Sequence, residues 1–216
     1  MKLEFGKIED RKDLLPKTVY DYIKGHGYED RIKVAQIDPA FADGESLSRE
    51  YGVPFERELN CLVVEGIRGE ESKFAALVVP YGKRANMNAK MRNPLAAKKV
   101  SLADLNRVCE ECKMEYGSIT PIGLPEHYMI LVDEEVMKQD EVIVGGGLVN
   151  SKLLVPSKLF REMKKLPSHR RPGKRVKETS KTKRKGIATA IPFHIENCLG
   201  FLSIAQELVE LVGAKA

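Results

Sequence analysis

The runs LNCLVVEG, 59–66, and KFAALVVP, 73–80, constrain this chain more than anything else in it. Each is a short apolar stretch rich in valine and leucine, and the six residues IRGEES between them are polar and contain a glycine. Runs of this length, so separated, pair as a β-hairpin. A hairpin does not stand alone in water, so the rest of the chain must supply further strands and cover the apolar faces.

The remaining elements follow from period and punctuation. Lys17 to Lys24 reads as a short helix stopped by Gly25 and Gly27. RIKVAQID reads as a strand, and DGESLSREYG as a helix with Asp43 at its N-cap and Gly52 at its end. In SLADLNRVCEECKMEYG, Ser101 and Asp104 have capping-box spacing, and Leu105, Val108, Cys109, Cys112 and Tyr116 share one face of a helix that ends at Gly117. YMILVD, EVIVGGG and KLLVP are short strands, and Pro156 and Ser157 start a helix that runs to about Lys165. Strands dominate with helices placed irregularly, which predicts an α+β fold with a mixed, barrel-like β-sheet and flanking helices.

With 216 residues, 43% hydrophobic and 31% charged, the chain is long enough for one substantial core. No apolar run approaches the ~20 residues of a membrane span, and the charged start MKLEFGKIEDRKD does not read as a signal peptide. A cytoplasmic chain with reduced thiols is the expectation.

Charge divides the molecule. Residues 161–185 hold twelve Lys or Arg against Glu162 and Glu178, a net of +10 that leaves about −5 for the rest of a +5 chain. Such a segment is either a solvated linker or an arm for a polyanion such as nucleic acid, with Arg170, Arg171, Lys174 and Arg175 as the contacts. Four parts result: an N-terminal extension at 1–30, a main domain at 31–166, a basic linker at 167–190 and a C-terminal helix at 191–216, apolar at Ile195, Leu199, Leu202 and Val209.

Cys109 and Cys112 suggest a metal or redox pair, but no second pair stands at ligand spacing and both fall on an apolar helix face, so core packing is the reading and no metal or cofactor is expected. The stretch YGSITPIGLP is different: Gly117, Ser118, Ile119, Thr120, Pro121, Gly123 and Pro125 concentrate conformational constraint in one loop. It is either a topological turn or a rigid loop whose exposed backbone N–H groups hold a carbonyl oxygen or oxyanion. A second cluster, Gly145, Gly146 and Gly147, follows the strand EVIV and marks a bulge or a close approach.

Taken in order, NCLVVEG, KFAALVVP, AAKKVSLAD, YGSITPIGLP, ILVDEEV and VIVGGGLVNSKLLVPSKL resemble the YbaK/prolyl-tRNA synthetase insertion-domain family of aminoacyl-tRNA editing proteins, over about 31–166. The most specific marks are the GxxxP loop, Gly117 to Pro121, and the glycines at Gly145 to Gly147. The resemblance implies a pocket for the 3′ end of a mischarged tRNA, metal-free ester hydrolysis, and a domain of a synthetase or a free-standing protein. Gly123 and Gly145 to Gly147 would then shape the substrate site. Asn60 stands where the best-known members carry a lysine, and asparagine can donate a hydrogen bond but carries no charge. Lys152, just after the glycine cluster, is the candidate to supply that charge.

Two functions remain open from sequence. One is a free-standing aminoacyl-tRNA deacylase for a small amino acid, where a synthetase gains only ~1–3 kcal/mol of discrimination per methylene and needs a second sieve. The other is a catalytically silent tRNA-binding or protein-interaction module of the same fold. Either could work as a homodimer or with a synthetase.

Overall fold

In chain order the elements are β1 (Gly6–Lys7), α1 (Lys17–Gly25), β2 (Lys33–Gln36), α2 (Gly44–Tyr51), β3 (Leu59–Arg68), β4 (Glu71–Pro80), α3 (Ala89–Leu95), β5 (Lys99–Leu102), α4 (Leu105–Cys112), β6 (Met129–Val132), β7 (Glu141–Gly145), β8 (Ser151–Pro156) and α5 (Leu159–Glu162). This computed structural model describes residues 1–82 and 89–163. The basic segment, the C-terminal helical pattern and the end of the helix expected to reach Lys165 lie outside the described residues.

The hairpin forms and is longer than its apolar runs. β3 and β4 pair over ten residues, from Leu59↔Pro80 to Arg68↔Glu71, so that only Gly69 and Glu70 remain as the turn. Four residues of IRGEES are therefore strand, because the ladder continues past the apolar stretch with solvated side chains. β5 adds to β3 antiparallel and β6 adds to β4 parallel, giving a mixed sheet ordered β5-β3-β4-β6. A second, antiparallel sheet is ordered β1-β2-β8-β7. The sheets touch at a corner, where Ile143 N–H donates to Arg57 O at 2.7 Å and Glu58 bridges Ile143 in parallel. The result is the mixed α+β, barrel-like fold expected, built from two sheets joined at a corner.

The alternation of β3 explains how the core is distributed. Leu59 and Val63 enter the main core with Val78, Val144, Leu153 and Phe160, whereas Val64 joins Leu77, Val79 and Leu95 in a second cluster. Burying side chains such as Leu153 contributes about 1.5–3 kcal/mol each. The N-terminal residues share the main core through Ile8, Val19 and Ile23, all fully buried. A third cluster, Ile37, Leu47, Val53, Ile143 and Leu154, seats α2.

α2 forms as its termini predict: Asp43 Oδ1 accepts from Ser46 N–H at 3.0 Å, and Gly52 closes the helix at φ +68°. α4 differs from expectation in three ways. Ser101 lies in β5 rather than in a capping box, because that strand pairs with β3, and Asp104 is itself the N-cap, accepting from Arg107 N–H at 2.9 Å. The helix ends at Cys112, with Lys113 left-handed at φ +58°, five residues before Gly117. Its buried face is Val108 and Cys112, while Leu105 and Tyr116 are exposed. Among the described residues the three thiols are free: Cys112 is buried, and Cys61 and Cys109 pack against the main core, where burial pushes the Cys61 thiol far up.

Candidate functional site

Once α4 has stopped, the chain is captured by the second glycine cluster. Met114 turns into the core, and Glu115 N–H donates to Gly147 O at 2.8 Å. Gly147 N–H donates back to Ser118 O at 2.9 Å, and the Glu115 carboxylate accepts from Val149 N–H at 2.6 Å. Three hydrogen bonds thus fasten Ser118 of the GxxxP loop, and Glu115 two residues before the loop, to residues 147–149. Within the loop, Ser118 N–H donates to Glu115 O at 3.1 Å and Thr120 N–H to Met114 Sδ at 3.5 Å. The N–H groups of Gly117 and Ile119 carry no hydrogen bond among the described residues. Ser118, Ile119, Thr120 and Pro121 are buried, so the loop is closed onto its neighbour rather than standing open in solvent.

Two glycines make this approach possible. A Cβ on Gly145 would lie 2.7 Å from Ser118 O, a backbone atom that cannot step aside without moving the loop. Gly147 adopts φ +92°, and a Cβ there would lie 2.6 Å from Pro16 Cγ. α1 closes the other side: the Cβ position of Gly123 is 2.7 Å from Thr18 O, and Thr18 Oγ1 donates to Cys112 O at 3.0 Å. The N-terminal helix therefore backs both glycine elements.

Lys152 is opposite Gly145 in the β7–β8 ladder, hence one strand away from the loop. It is 7% exposed. Its Nζ donates to Ala42 O at 2.9 Å and lies 3.8 Å from Glu58 Oε1. Glu58 is 2% exposed and sits just before β3, where Tyr81 N–H donates to its carbonyl at 2.7 Å and so extends the hairpin ladder. Burial pushes the Glu58 carboxyl up, and the nearby Lys152 partly offsets this. Burial likewise pushes Lys152 down against the pull of Glu58 and Asp43. Each ion is thus made tolerable by the other.

Asn60 follows Glu58 by two residues and shares its side of the strand, half-buried opposite Val79. Among the described residues no hydrogen bond joins Asn60 to the loop. The structure thus brings Ser118, Gly145 and Gly147 together, sets Lys152 beside them through Gly145, and keeps Asn60 on the neighbouring sheet with Glu58. Gly146 is buried in the same turn, its N–H donating to Ser151 O at 3.2 Å. Arg170, Arg171, Lys174 and Arg175 lie outside the described residues. Two polar surface depressions, of about 430 Å³ beside Arg11 and Gln36 and about 530 Å³ beside Arg107 and Glu111, lie apart from these loops. Among the described residues no group of three His, Cys, Asp or Glu is placed to hold a metal, and no helix is long and apolar enough to cross a membrane.

Residues 38–162 match the model of the aminoacyl-tRNA editing domain, a span that contains both glycine elements, Asn60 and Lys152. The chain belongs to that family. The editing domain also resembles solved structures. It is 26% identical to the hypothetical protein APE2540, with a TM-score of 0.59 over 68% of this chain and 93% of that one. It is 16% identical to a candidate trans-editing enzyme for prolyl tRNA synthetase, with a TM-score of 0.58 over 68% of this chain and 89% of that one. No curated protein matches this chain.

Sequence reasoning passed over two side chains of this editing domain. Glu115, read as part of a helix, is the latch between the loops. Glu58 is the buried partner of Lys152, and its signal was available: opposite charges stand at the leading edges of two apolar runs, LNCLVVEG and KLLVP.

Proposed function

We propose that this chain is a free-standing aminoacyl-tRNA deacylase that hydrolyses the ester of a small amino acid on a mischarged tRNA. The observation that carries the reading is the fastened GxxxP loop, which fixes two backbone donors, Gly117 N–H and Ile119 N–H, without using them internally. Donors held in place before the substrate arrives stabilise the oxyanion of a tetrahedral intermediate without reorganisation, and each is worth about 10²–10³ in rate.

In this scheme the 3′ end of the tRNA enters beside Gly123 and Gly145 to Gly147. The loop from Gly117 through Ser118, Ile119 and Thr120 to Pro121 holds the ester carbonyl. Asn60 donates a hydrogen bond that orients the substrate, and a water, assisted by the neighbouring ribose hydroxyl, attacks the carbonyl carbon. The C–O ester bond breaks, its oxygen takes a proton, and free amino acid and tRNA leave. Arg170, Arg171, Lys174 and Arg175 add sequence-independent affinity for tRNA phosphates. The role belongs to the cytoplasm, where tRNAs are charged.

A second reading, a silent tRNA-binding or protein-interaction module, has an observation of its own: Asn60 is neutral and the charge of Lys152 is held by Glu58. A panel of tRNAs mischarged with alanine, serine, threonine, cysteine and proline decides between them. Cleavage of at least one above buffer, reduced in Asn60→Ala, supports the deacylase. Tight tRNA binding with no cleavage of any supports the silent module.

A further inference from the structure

Glu58 has a spare bond to make. One carboxylate oxygen faces Lys152, while Oε2 is buried and has no hydrogen-bond partner among the described residues. Lys152 also feels the Asp43 carboxylate, so its ammonium is not committed to Glu58 alone.

The place matters as much as the charge. Glu58 meets Lys152, Lys152 stands opposite Gly145, and the missing side chain of Gly145 is where the Ser118 carbonyl approaches. Strand pairing puts the Cα atoms of Lys152 and Gly145 about 5 Å apart. In an aminoacyl ester the α-ammonium is one carbon away from the ester carbonyl. Asn60, which the proposed reading sets on the substrate, lies two residues after Glu58 on the same side of the strand, about 7 Å along it, so a substrate oriented by Asn60 has the Glu58–Lys152 pair as its neighbour.

From this geometry we infer that Glu58 receives the α-ammonium group of the aminoacyl moiety, while Lys152 holds the carboxylate in place through its other oxygen. The inference rests on the reading that the site takes an aminoacyl ester, and it adds a selection rule. The site then admits acyl groups with a free α-amine and rejects N-acylated ones, a distinction that the loop's carbonyl donors cannot make. Lys152 acts here as a positioning residue, anchored by Ala42 O.

The test uses binding rather than turnover. The full chain is titrated with 3′-alanylamino-3′-deoxyadenosine, whose amide replaces the ester, and with its N-acetyl derivative. The native chain should prefer the free amine by about 10-fold or more, the worth of one hydrogen bond to a charged group. Glu58→Gln should bring that ratio close to one while leaving the affinity for the acetylated compound in place. If Glu58→Gln does not fold, the Glu58→Gln/Lys152→Gln double variant removes both charges and should show the same collapse. A native ratio near one, a ratio unchanged in the variant that folds, or no binding of either compound overturns the inference. Deacylation with a native ratio near one removes the inference alone. A Glu58-dependent ratio without deacylation removes the hydrolase and keeps the amine site.

Discussion

Lys152 and Glu58 meet across the corner of the two sheets, Nζ 3.8 Å from Oε1, with their side chains 9% and 3% exposed. Removing one partner leaves the other as an uncompensated buried charge. Lys152→Met or Glu58→Leu should therefore destabilise the fold by about 3–5 kcal/mol, and the double variant by less than their sum. Denaturant unfolding of the four proteins measures the coupling. Additive losses would mean that the two charges do not support one another.

Gly145→Ala places a Cβ against Ser118 O, so the loop must shift or the strand must bend. The expected cost is about 1–3 kcal/mol of stability. Deacylation should fall more steeply, by about 100-fold, because a displaced donor no longer meets the carbonyl. Gly25→Ala is the control. Its Cβ meets nothing within 4 Å, and it should leave activity intact with unchanged or slightly higher Tm.

Acid should loosen the N-terminal segment first. The hydrogen bond from Lys24, followed by that from Tyr20, holds the Glu9 carboxyl well below its ordinary 4.5, at about 2. A folded pKa below the unfolded one means that the native state binds fewer protons. The stabilisation is thus complete above pH 4.5 and is lost as pH falls toward about 2. In a series of melting curves across that window, Glu9→Gln should have a flatter pH dependence than the native chain. The difference should shrink in high salt, since Glu9 and Lys24 are substantially exposed.

The basic arm makes a separate prediction about salt. A chain ending at Leu166 loses Arg170, Arg171, Lys174 and Arg175, and the slope of log affinity for tRNA against log salt should fall by about 0.7–0.9 for each phosphate contact removed. Affinities measured across a salt series give the slope directly. An unchanged slope would take these four residues off the phosphates.

What could be read in advance was local. The caps of α2 depend on Asp43 and Gly52 within one stretch of sequence, and the hairpin depends on two neighbouring runs. Ser101 misled because a capping-box spacing is also compatible with an edge strand, and pairing with β3 decided the matter. The order of the glycine elements located the loop pair, but its closure depends on Glu115 reaching Val149 and on Gly147 reaching Ser118. Lys152 bonds to Ala42 across 110 residues. Such pairings are fixed by how two sheets meet, which no periodicity or spacing within one element encodes.

The contact of α1 with both glycine elements has a practical consequence for anyone transplanting this unit. A fragment begun at Asp38, where the family match starts, would lack β1, β2 and α1. It would leave β8 with an open edge and would remove Pro16 and Thr18 from behind Gly147 and Gly123. The portable module is the assembly from the first strand onward. Borrowing the loops without their backing would carry the motif and lose the shape.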